Sequence, residues 1–298
     1  MKNFLRMQNY IQGNRKAAIV ALLLAALLWS SAGIAFRLLD TVTNGLAISG
    51  YRSFFALIFY VCAFKSLPKF EGSKWFVLGI IGHTMATSLF AVSNTLTTAA
   101  NAIVLQYTAP IFACFYLLFL LKKPLPKHDI LAVGIIVIGI CIFFVDSLTL
   151  QLSPAMTLGN SIAIASGAGI GLQAVVIAQV KNPRNVLIFA NLINIAIALP
   201  FMLLNPIGSL FDLGILIYLG VIQIGLSYLL YTFAVAKVTP LELILIPALE
   251  PVLNPVWVFL FDGQAPSLVS VAGGIIIIMT ILLWSLYKEK YVPQGHPG

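Results

Sequence analysis

Residues 243–261 read LILIPALEPVLNPVWVFLF, an apolar run that carries one acid, Glu250, and a proline at every fourth position around it. About 20 mostly apolar residues are enough to cross the hydrocarbon core of a bilayer as a helix. A carboxylate at that depth costs on the order of 2.5–3.5 kcal/mol, so a chain keeps it where a polar cavity or a partner uses it. Prolines free backbone carbonyls, which is tolerated where the helix faces protein or water. The stretch therefore predicts a transport pathway with Glu250 in its wall.

The composition of the whole chain is that of a membrane protein. Hydrophobic residues make up 60% of it and charged residues 9%, whereas a soluble domain carries about 25% charged residues. The net charge of +8 would suit nucleic acid, but the basic residues follow the ends of the apolar runs instead. Cys62, Cys114 and Cys141 lie inside apolar runs without metal-ligand spacing, so we expect small core residues. No nucleic-acid partner, cofactor or metal is expected.

Ten apolar runs are long enough to span a membrane. With the N-terminus in the cytoplasm, that side holds all Lys and Arg residues except Arg37 and Arg52. Basic residues concentrate on the cytoplasmic side of membrane proteins, so we predict a multi-pass protein of the cell membrane with both termini cytoplasmic. The predicted spans are Ala17–Leu38, Gly45–Phe64, Lys74–Asn94, Ala100–Leu121, Ile130–Val145, Met156–Val180, Asn185–Leu203, Asp212–Ala236, Leu241–Phe261 and Ser267–Leu286.

The two halves of the chain resemble each other. The segment 78–81 (LGII) matches 219–222 (LGVI), and Pro110 in the fourth span matches Pro251 in the ninth. We therefore divide the chain into residues 1–148 and 149–298, with five spans each. Because five is odd, the second unit must be inverted in the membrane. The predicted fold is an all-α membrane protein of ten transmembrane helices in two inverted five-helix repeats, an arrangement typical of secondary transporters.

Four stretches of the spans carry a resemblance to a known family: Trp29-Ser30-Ser31, Tyr51-Arg52-Ser53-Phe54-Phe55-Ala56, Tyr107-Thr108-Ala109-Pro110 and Leu249-Glu250-Pro251-Val252. In them the chain resembles the drug/metabolite transporter superfamily, in its ten-span EamA-type branch. The resemblance implies two inverted five-helix bundles around a central cavity. It also implies transport, with related proteins exporting amino acids or other small metabolites and more distant ones moving amines, drugs or nucleotide sugars.

Polar and aromatic residues inside the spans are the candidates for substrate binding or ion coupling. Helical spacing places His83 and Asn94 on a single stripe of the third span. It places Glu250 and Asn254 on one stripe of the ninth. In lipid such a stripe would be unsatisfied, so we expect it to face the bundle interior. The predicted site residues are Glu250, His83, Trp29, Asn94, Gln106, Tyr107, Gln223, Tyr228, Tyr231, Asn254 and Arg52.

Structural alternatives remain open for several of these residues. Glu250 could form a buried pair with Arg52 or His83 that only fixes helix packing. Trp29 and Tyr107 could pack between helices, and His83 could be a hydrogen-bonded structural residue. Asn, Gln, Ser and Thr often act as interhelical contacts worth about 0.6 kcal/mol each.

Three further residues are predicted to lie near the membrane surfaces, outside the site. Trp75 and Trp284 lie near span ends, where tryptophan commonly forms an interfacial belt. Glu242 lies near the cytoplasmic end of the ninth span, so we expect it to be solvated. None of the three is expected to contribute to the site.

The sequence favours a secondary transporter that moves a small polar metabolite, an amino acid or an amine, by alternating access, with export as the expected direction. A lone carboxylate beside aromatic rings suits an ammonium group, and protons are the candidate coupling ion. The alternative is a multidrug exporter of hydrophobic organic cations. Hydrolase motifs such as His-Glu-x-x-His and Gly-x-Ser-x-Gly are missing from the sequence, so an enzyme is not expected. The lipid bilayer and a small-molecule substrate are the expected partners, and a monomer would suffice.

Overall fold

The computed structural model describes residues 2–64, 68–145, 153–262 and 267–291, and all regular secondary structure within them is helical. Eight helices there are long and apolar enough to cross a membrane, which confirms eight of the predicted spans. The fifth and ninth predicted spans are helical as well, and the full count of ten stays a prediction. We label the segments α1 (Arg15–Arg37), α2 (Gly45–Phe64), α3 (Lys74–Leu96), α4 (Asn101–Phe119), α5 (Lys127–Phe144), α6 (Pro154–Gln179), α7 (Pro183–Leu204), α8 (Leu210–Val235), α9 (242–262) and α10 (Leu268–Tyr291).

The outer surface of the helices is apolar. Large aliphatic side chains such as Leu204 and Leu268 are exposed, and an apolar surface of this extent fits lipid rather than water. Cys62 and Cys141 are also exposed on this surface, and Cys114 is half-buried. The expectation of core cysteines was therefore wrong for Cys62 and Cys141, because apolar residues of a membrane helix pack on lipid as readily as on protein.

Helix α6 occupies the centre of the fold because its glycines let neighbouring backbones approach. A Cβ on Gly167 would lie 2.6 Å from the Gln106 carbonyl oxygen of α4, and one on Gly169 would lie 2.8 Å from the Ala86 nitrogen of α3. Small residues at such contacts are typical of membrane helices, where close packing replaces the hydrophobic effect. The contacts hold α3 and α4 directly against α6.

Helices α5 and α10 pack closely along their length, and one glycine allows it. A Cβ on Gly273 would lie 2.4 Å from the Phe143 nitrogen. We expect Gly273→Ala to lower the melting temperature, because overpacking against backbone costs roughly 1–3 kcal/mol. Gly134, on the open face of α5, has no atom within 4 Å of its added Cβ, so Gly134→Ala should be neutral or slightly stabilising. Equal melting temperatures for the two variants in detergent would contradict this packing.

Residues from four helix ends form a buried charge cluster, which we define as Arg15, Asp129, Glu242 and Lys288. Arg15 Nη2 lies 2.5 Å from Glu242 Oε1, and Lys288 Nζ lies 3.9 Å from Asp129 and 4.0 Å from Glu242. Each of the four residues is at most 6% exposed. Trp284 is buried beside them and donates to Asp129 at 2.9 Å.

The charge cluster corrects two sequence-based predictions. Glu242 is not solvated, because it is paired with Arg15 from the other end of the chain. Trp284 is not an interfacial belt residue, because its indole is buried against the Asp129 carboxylate. Both corrections follow from contacts between residues that are far apart in sequence.

The opposite end of the bundle is held by polar contacts between α8 and the segment that follows α1. The Asp212 carboxylate accepts from the backbone nitrogens of Thr41 (2.7 Å) and Asp40 (3.3 Å) and from the Thr41 hydroxyl. Nearby, the Tyr51 hydroxyl donates to the Met202 carbonyl oxygen at 3.0 Å, which ties α2 to α7. Polar contacts therefore join the helices at both ends of the bundle.

Candidate functional site

Helices α4 and α9 are both interrupted at their matched prolines. The fourth helix ends a first piece at Gln106 and restarts at Ala109–Phe119 with Pro110 in its first turn. The ninth tightens into a 3₁₀ turn over Ile246–Leu249 before Pro251. Proline has no N–H to donate and clashes with the preceding turn, which accounts for both breaks. The predicted pair of proline-interrupted segments is confirmed in these two helices.

Helices α3 and α8 each contain a π-helical segment. These segments cover Met85–Leu89 in α3 and Tyr218–Leu226 in α8. A π-turn inserts a residue into the helix and often occurs at functional sites. Thr87 from the first segment and Gln223 from the second both face the same cavity.

One cavity lies where these four irregular helices meet α1, α2 and α6. The cavity volume available to the centres of water molecules is about 80 Å³. One water needs roughly 10–15 Å³, so the cavity has room for several. Its wall combines aromatic rings, amides, one carboxylate and one guanidinium. The predicted site residues in this wall are Trp29, Arg52, Gln106, Tyr107, Gln223, Tyr228, Tyr231 and Glu250.

Glu250 is half-buried in the cavity wall, at the start of the last piece of α9. The Tyr107 hydroxyl lies 2.9 Å from Glu250 Oε2 and 3.1 Å from the Pro247 carbonyl oxygen. The break in α4 and the break in α9 are therefore joined through one hydroxyl. Within the described residues, neither Arg52 nor His83 pairs with Glu250, so the alternative of a packing ion pair does not hold in this conformation.

Arg52 enters the cavity from α2 and is only 2% exposed. Its Nη2 donates to Gln223 Oε1 at 2.7 Å, and its guanidinium carbon lies 4.9 Å from the centre of the Phe36 ring. Its Nε and Nη1 are buried without a hydrogen-bond partner. In the part of the chain that the structure describes, the guanidinium therefore has an amide as its side-chain acceptor and no carboxylate paired with it.

An aromatic wall from α1 and α8 faces the polar groups. The Trp29 ring lies 4.9 Å from Tyr228 in an edge-on arrangement and 5.9 Å from Tyr231, measured between ring centres. Aromatic pairs at such separations favour this geometry and hold each other in place. The negative faces of the rings attract cations, so this wall suits an organic ammonium group.

Two predicted site residues lie outside the cavity lining. His83 is fully buried behind it, where Nδ1 is 3.0 Å from Gln173 Nε2 and the ring is edge-on to Tyr228 at 4.5 Å. The Asn94 amide donates to the Phe90 carbonyl oxygen at 2.9 Å within its own helix. Both residues therefore contact the wall without lining the cavity, His83 through Gln173 and Tyr228 and Asn94 through Phe90. The side chain of Asn254 lies outside the described residues.

A polar cluster that no sequence pattern predicts lies where α2, α3 and α7 meet. The Ser88 hydroxyl lies 2.8 Å from Ser49 Oγ and donates to Asn194 Oδ1 at 2.8 Å. Asn194 Nδ2 in turn donates to Thr87 Oγ1 at 2.9 Å. Serine, threonine and asparagine are common in membrane helices, so no sequence signal separates these from others. The cluster holds Thr87 in position at the cavity.

Comparison with known proteins places the chain among membrane transporters. Residues 16–145 match the model of the EamA-like transporter family. No curated protein matches the chain in sequence. One solved crystal structure superposes with a TM-score of 0.72 at 17% identity, covering 90% of this chain and 98% of that chain. At that identity the likeness shows a shared fold.

The matched region contains α1 to α5 and ends at residue 145. It includes eight of the residues that line the cavity, among them Arg52 and Tyr107. Together with the eight apolar helices, the match indicates a multi-pass membrane transporter. Residues 16–145 are therefore similar to the EamA-like transporter family, within the drug/metabolite transporter superfamily that the sequence resembles.

Proposed function

We propose that this protein is a secondary transporter that moves a small polar metabolite, an amino acid or an amine, by alternating access, in the direction of export. The observation that carries the proposal is the half-buried Glu250 carboxylate in a cavity of aromatic rings and amides. The cavity lies at the junction of two interrupted helices, where substrate sites of inverted-repeat transporters form. Glu250 would bind the ammonium group, and the aromatic wall would surround the rest.

Helix packing supports the inverted repeat. Across the two halves, α1 packs on α8 and α9, while α6 packs on α3 and α4; α2 packs on α7, and α5 on α10. If the halves are exchanged, α1 takes the place of α6 while α8 and α9 take the places of α3 and α4, so the contacts of α1 become those of α6. The α2–α7 and α5–α10 contacts are unchanged by the exchange. A two-fold relation between residues 1–148 and 149–298 gives this pattern. Since each unit has five spans, that relation would invert one unit in the membrane.

The polar contacts at both ends of the bundle support alternating access. The charge cluster joins helices at the end that carries Arg15, and the Asp212–Thr41 contact joins them at the other end. We propose that one set opens while the other stays closed, so that the cavity faces the two sides in turn. By the distribution of basic residues, the charge cluster lies on the cytoplasmic side of the cell membrane, and a monomer suffices.

Protons are the proposed coupling ion. A carboxylate that binds an ammonium group can release it on protonation, so Glu250 is the residue through which proton binding and substrate binding would compete. His83 is the second candidate, because it contacts Gln173 and Tyr228 of the cavity wall.

A second candidate function is export of hydrophobic organic cations. The Trp29, Tyr228 and Tyr231 rings favour it, since flat aromatic walls bind large cations without specific hydrogen bonds. The polar groups Gln106, Gln223 and Arg52 in the same wall favour the metabolite instead.

A direct test is uptake from a mixture of amino acids, polyamines and hydrophobic cations into proteoliposomes, with the internal solutes identified by mass spectrometry. We expect amino acids or amines to enter faster than into protein-free liposomes. Preferential entry of hydrophobic cations would replace the proposal with the second candidate. If no solute enters faster than into protein-free liposomes under an imposed proton gradient of either direction, the proposal is wrong.

A further inference from the structure

Arg52 is the one cavity residue whose charge the proposed ammonium site does not use. Its guanidinium has five N–H donors and cannot deprotonate in a protein. A buried carboxylate can escape the cost of burial by taking a proton, but a buried guanidinium cannot. Taking a charge out of water without an opposite charge is strongly unfavourable. Arg52 therefore requires an anion in at least one state of the protein.

No carboxylate of the described residues pairs with Arg52 in this conformation. Glu250 shares the cavity but lies against the Tyr107 hydroxyl. Asp212, the acid of α8, accepts from Thr41 and Asp40. Among the described residues, the hydrogen bond of Arg52 goes to the neutral Gln223, and its Nε and Nη1 have no partner.

We propose that Arg52 binds a carboxylate of the substrate while Glu250 binds its ammonium group, so that the substrate is an amino acid rather than a simple amine. The inference rests on the proposed function and deepens it. Two opposite charges lie in the wall of one cavity without neutralising each other. A zwitterion satisfies both at once, whereas an amine leaves Arg52 unpaired and a carboxylic acid leaves Glu250 unpaired.

A single carboxylate fits this site better than a phosphate. The planar guanidinium fork matches the two oxygens of a carboxylate. A phosphate group brings close to two negative charges, and Arg52 is the only Lys or Arg among the residues that line the cavity. The hydrogen bond from Nη2 to Gln223 at 2.7 Å fixes the orientation of the guanidinium. It thereby fixes the direction from which a ligand can reach the remaining N–H donors.

The test compares three ligands of matched shape: leucine, 3-methylbutylamine, which lacks the carboxylate, and 4-methylpentanoate, which lacks the ammonium. Calorimetric titration of the purified protein should show leucine binding at least about tenfold more tightly than either analogue, because each analogue lacks one hydrogen-bonded contact to a charged group of the wall. In Arg52→Gln, leucine affinity should fall to that of the amine. The same set built on phenylalanine covers a larger side chain.

Gln223→Glu provides the sharpest variant, because it gives Arg52 a carboxylate of its own. We expect its ligand-free melting temperature to rise and its leucine affinity to fall about tenfold or more, while affinity for the amine does not fall, because the new carboxylate neutralises Arg52. A merely structural Arg52 would give the rise in melting temperature without the selective loss. Arg52→Lys, which keeps the charge but loses the fork, should recover part of the leucine affinity and shows that the site still folds.

The outcomes separate the inference from the proposed function. If the amine binds as tightly as leucine and Arg52→Gln changes neither, the inference is wrong and the protein remains an amine transporter. If neither leucine, phenylalanine nor their analogues bind the wild type, the inference is wrong together with the proposed substrate class.

Discussion

Glu250→Gln is expected to slow uptake of the identified substrate about tenfold to a hundredfold. The substitution keeps the shape of the side chain and its contact with the Tyr107 hydroxyl (2.9 Å in the wild type). It removes only the negative charge that would bind the ammonium group. Hydrogen bonds to charged groups contribute about 1.5–3 kcal/mol, which corresponds to that range of affinity. Initial uptake rates in proteoliposomes, at substrate concentrations below saturation, measure the effect.

Glu289→Gln is the matched control for this experiment. Glu289 lies outside the cavity and its partner, Lys16, is an exposed residue at 3.5 Å, so its loss should leave uptake unchanged. The ligand-free Glu250→Gln protein should also melt no lower than the wild type, because burial of a carboxylate is costly. Wild-type uptake by Glu250→Gln would show that the carboxylate does not bind the substrate.

Arg15→Ala is expected to lower the free energy of unfolding by about 3 kcal/mol. It leaves the Glu242 carboxylate buried without the guanidinium that lies 2.5 Å from it. Breaking a buried ion pair from one side typically costs 3–5 kcal/mol. The lower end applies here, because Lys288 remains 4.0 Å from Glu242 and the Thr239 nitrogen still donates to it at 2.7 Å. Thermal unfolding in detergent, followed by tryptophan fluorescence, measures the loss.

The adjacent residue offers a control at the same end of α1. Lys16 pairs with Glu289 at 3.5 Å, but their side chains are 68% and 32% exposed. Exposed pairs contribute about 0–1 kcal/mol, so Lys16→Ala should barely change the melting temperature. Similar melting temperatures for Arg15→Ala and Lys16→Ala would mean that the charge cluster is solvated and does not join the helices at its end of the bundle.

The helices were predictable because their determinants are local. An apolar run of sufficient length is a span wherever it lies, and the bounds of α2 (Gly45–Phe64) and the start of α3 at Lys74 agree with the sequence-based bounds. The proline breaks of α4 and α9 were also predictable, since Pro110 and Pro251 disrupt a helix without help from other segments. Much of the cavity wall followed from assigning polar stripes to these helices.

The partners of individual side chains were not predictable, because they come from distant parts of the chain. Arg15 meets Glu242 across 227 positions, and Tyr107 meets Glu250 across 143. In an ideal helix, His83 lies on the polar stripe of α3, as predicted. That stripe is wider than the part of α3 that lines the cavity. The π-helical turn at Met85–Leu89, just beyond His83, also shifts the faces of the helix. Thr87 therefore lines the cavity while His83 lies behind it.

The central claim, that one cavity opens to both sides of the membrane in turn, is tested most directly by labelling a cysteine placed in its wall. In a background with Cys62, Cys114 and Cys141 replaced by alanine, Thr87→Cys puts a thiol in the lining and Ile81→Cys puts one on the exposed, apolar face of the same helix. Membrane-impermeant thiol reagents are then applied to sealed right-side-out and inside-out vesicles. We predict that Thr87→Cys reacts from both sides, that bound substrate slows the reaction from each, and that Ile81→Cys reacts from neither. Reaction of Thr87→Cys from one side only, with or without substrate, would contradict alternating access through this cavity.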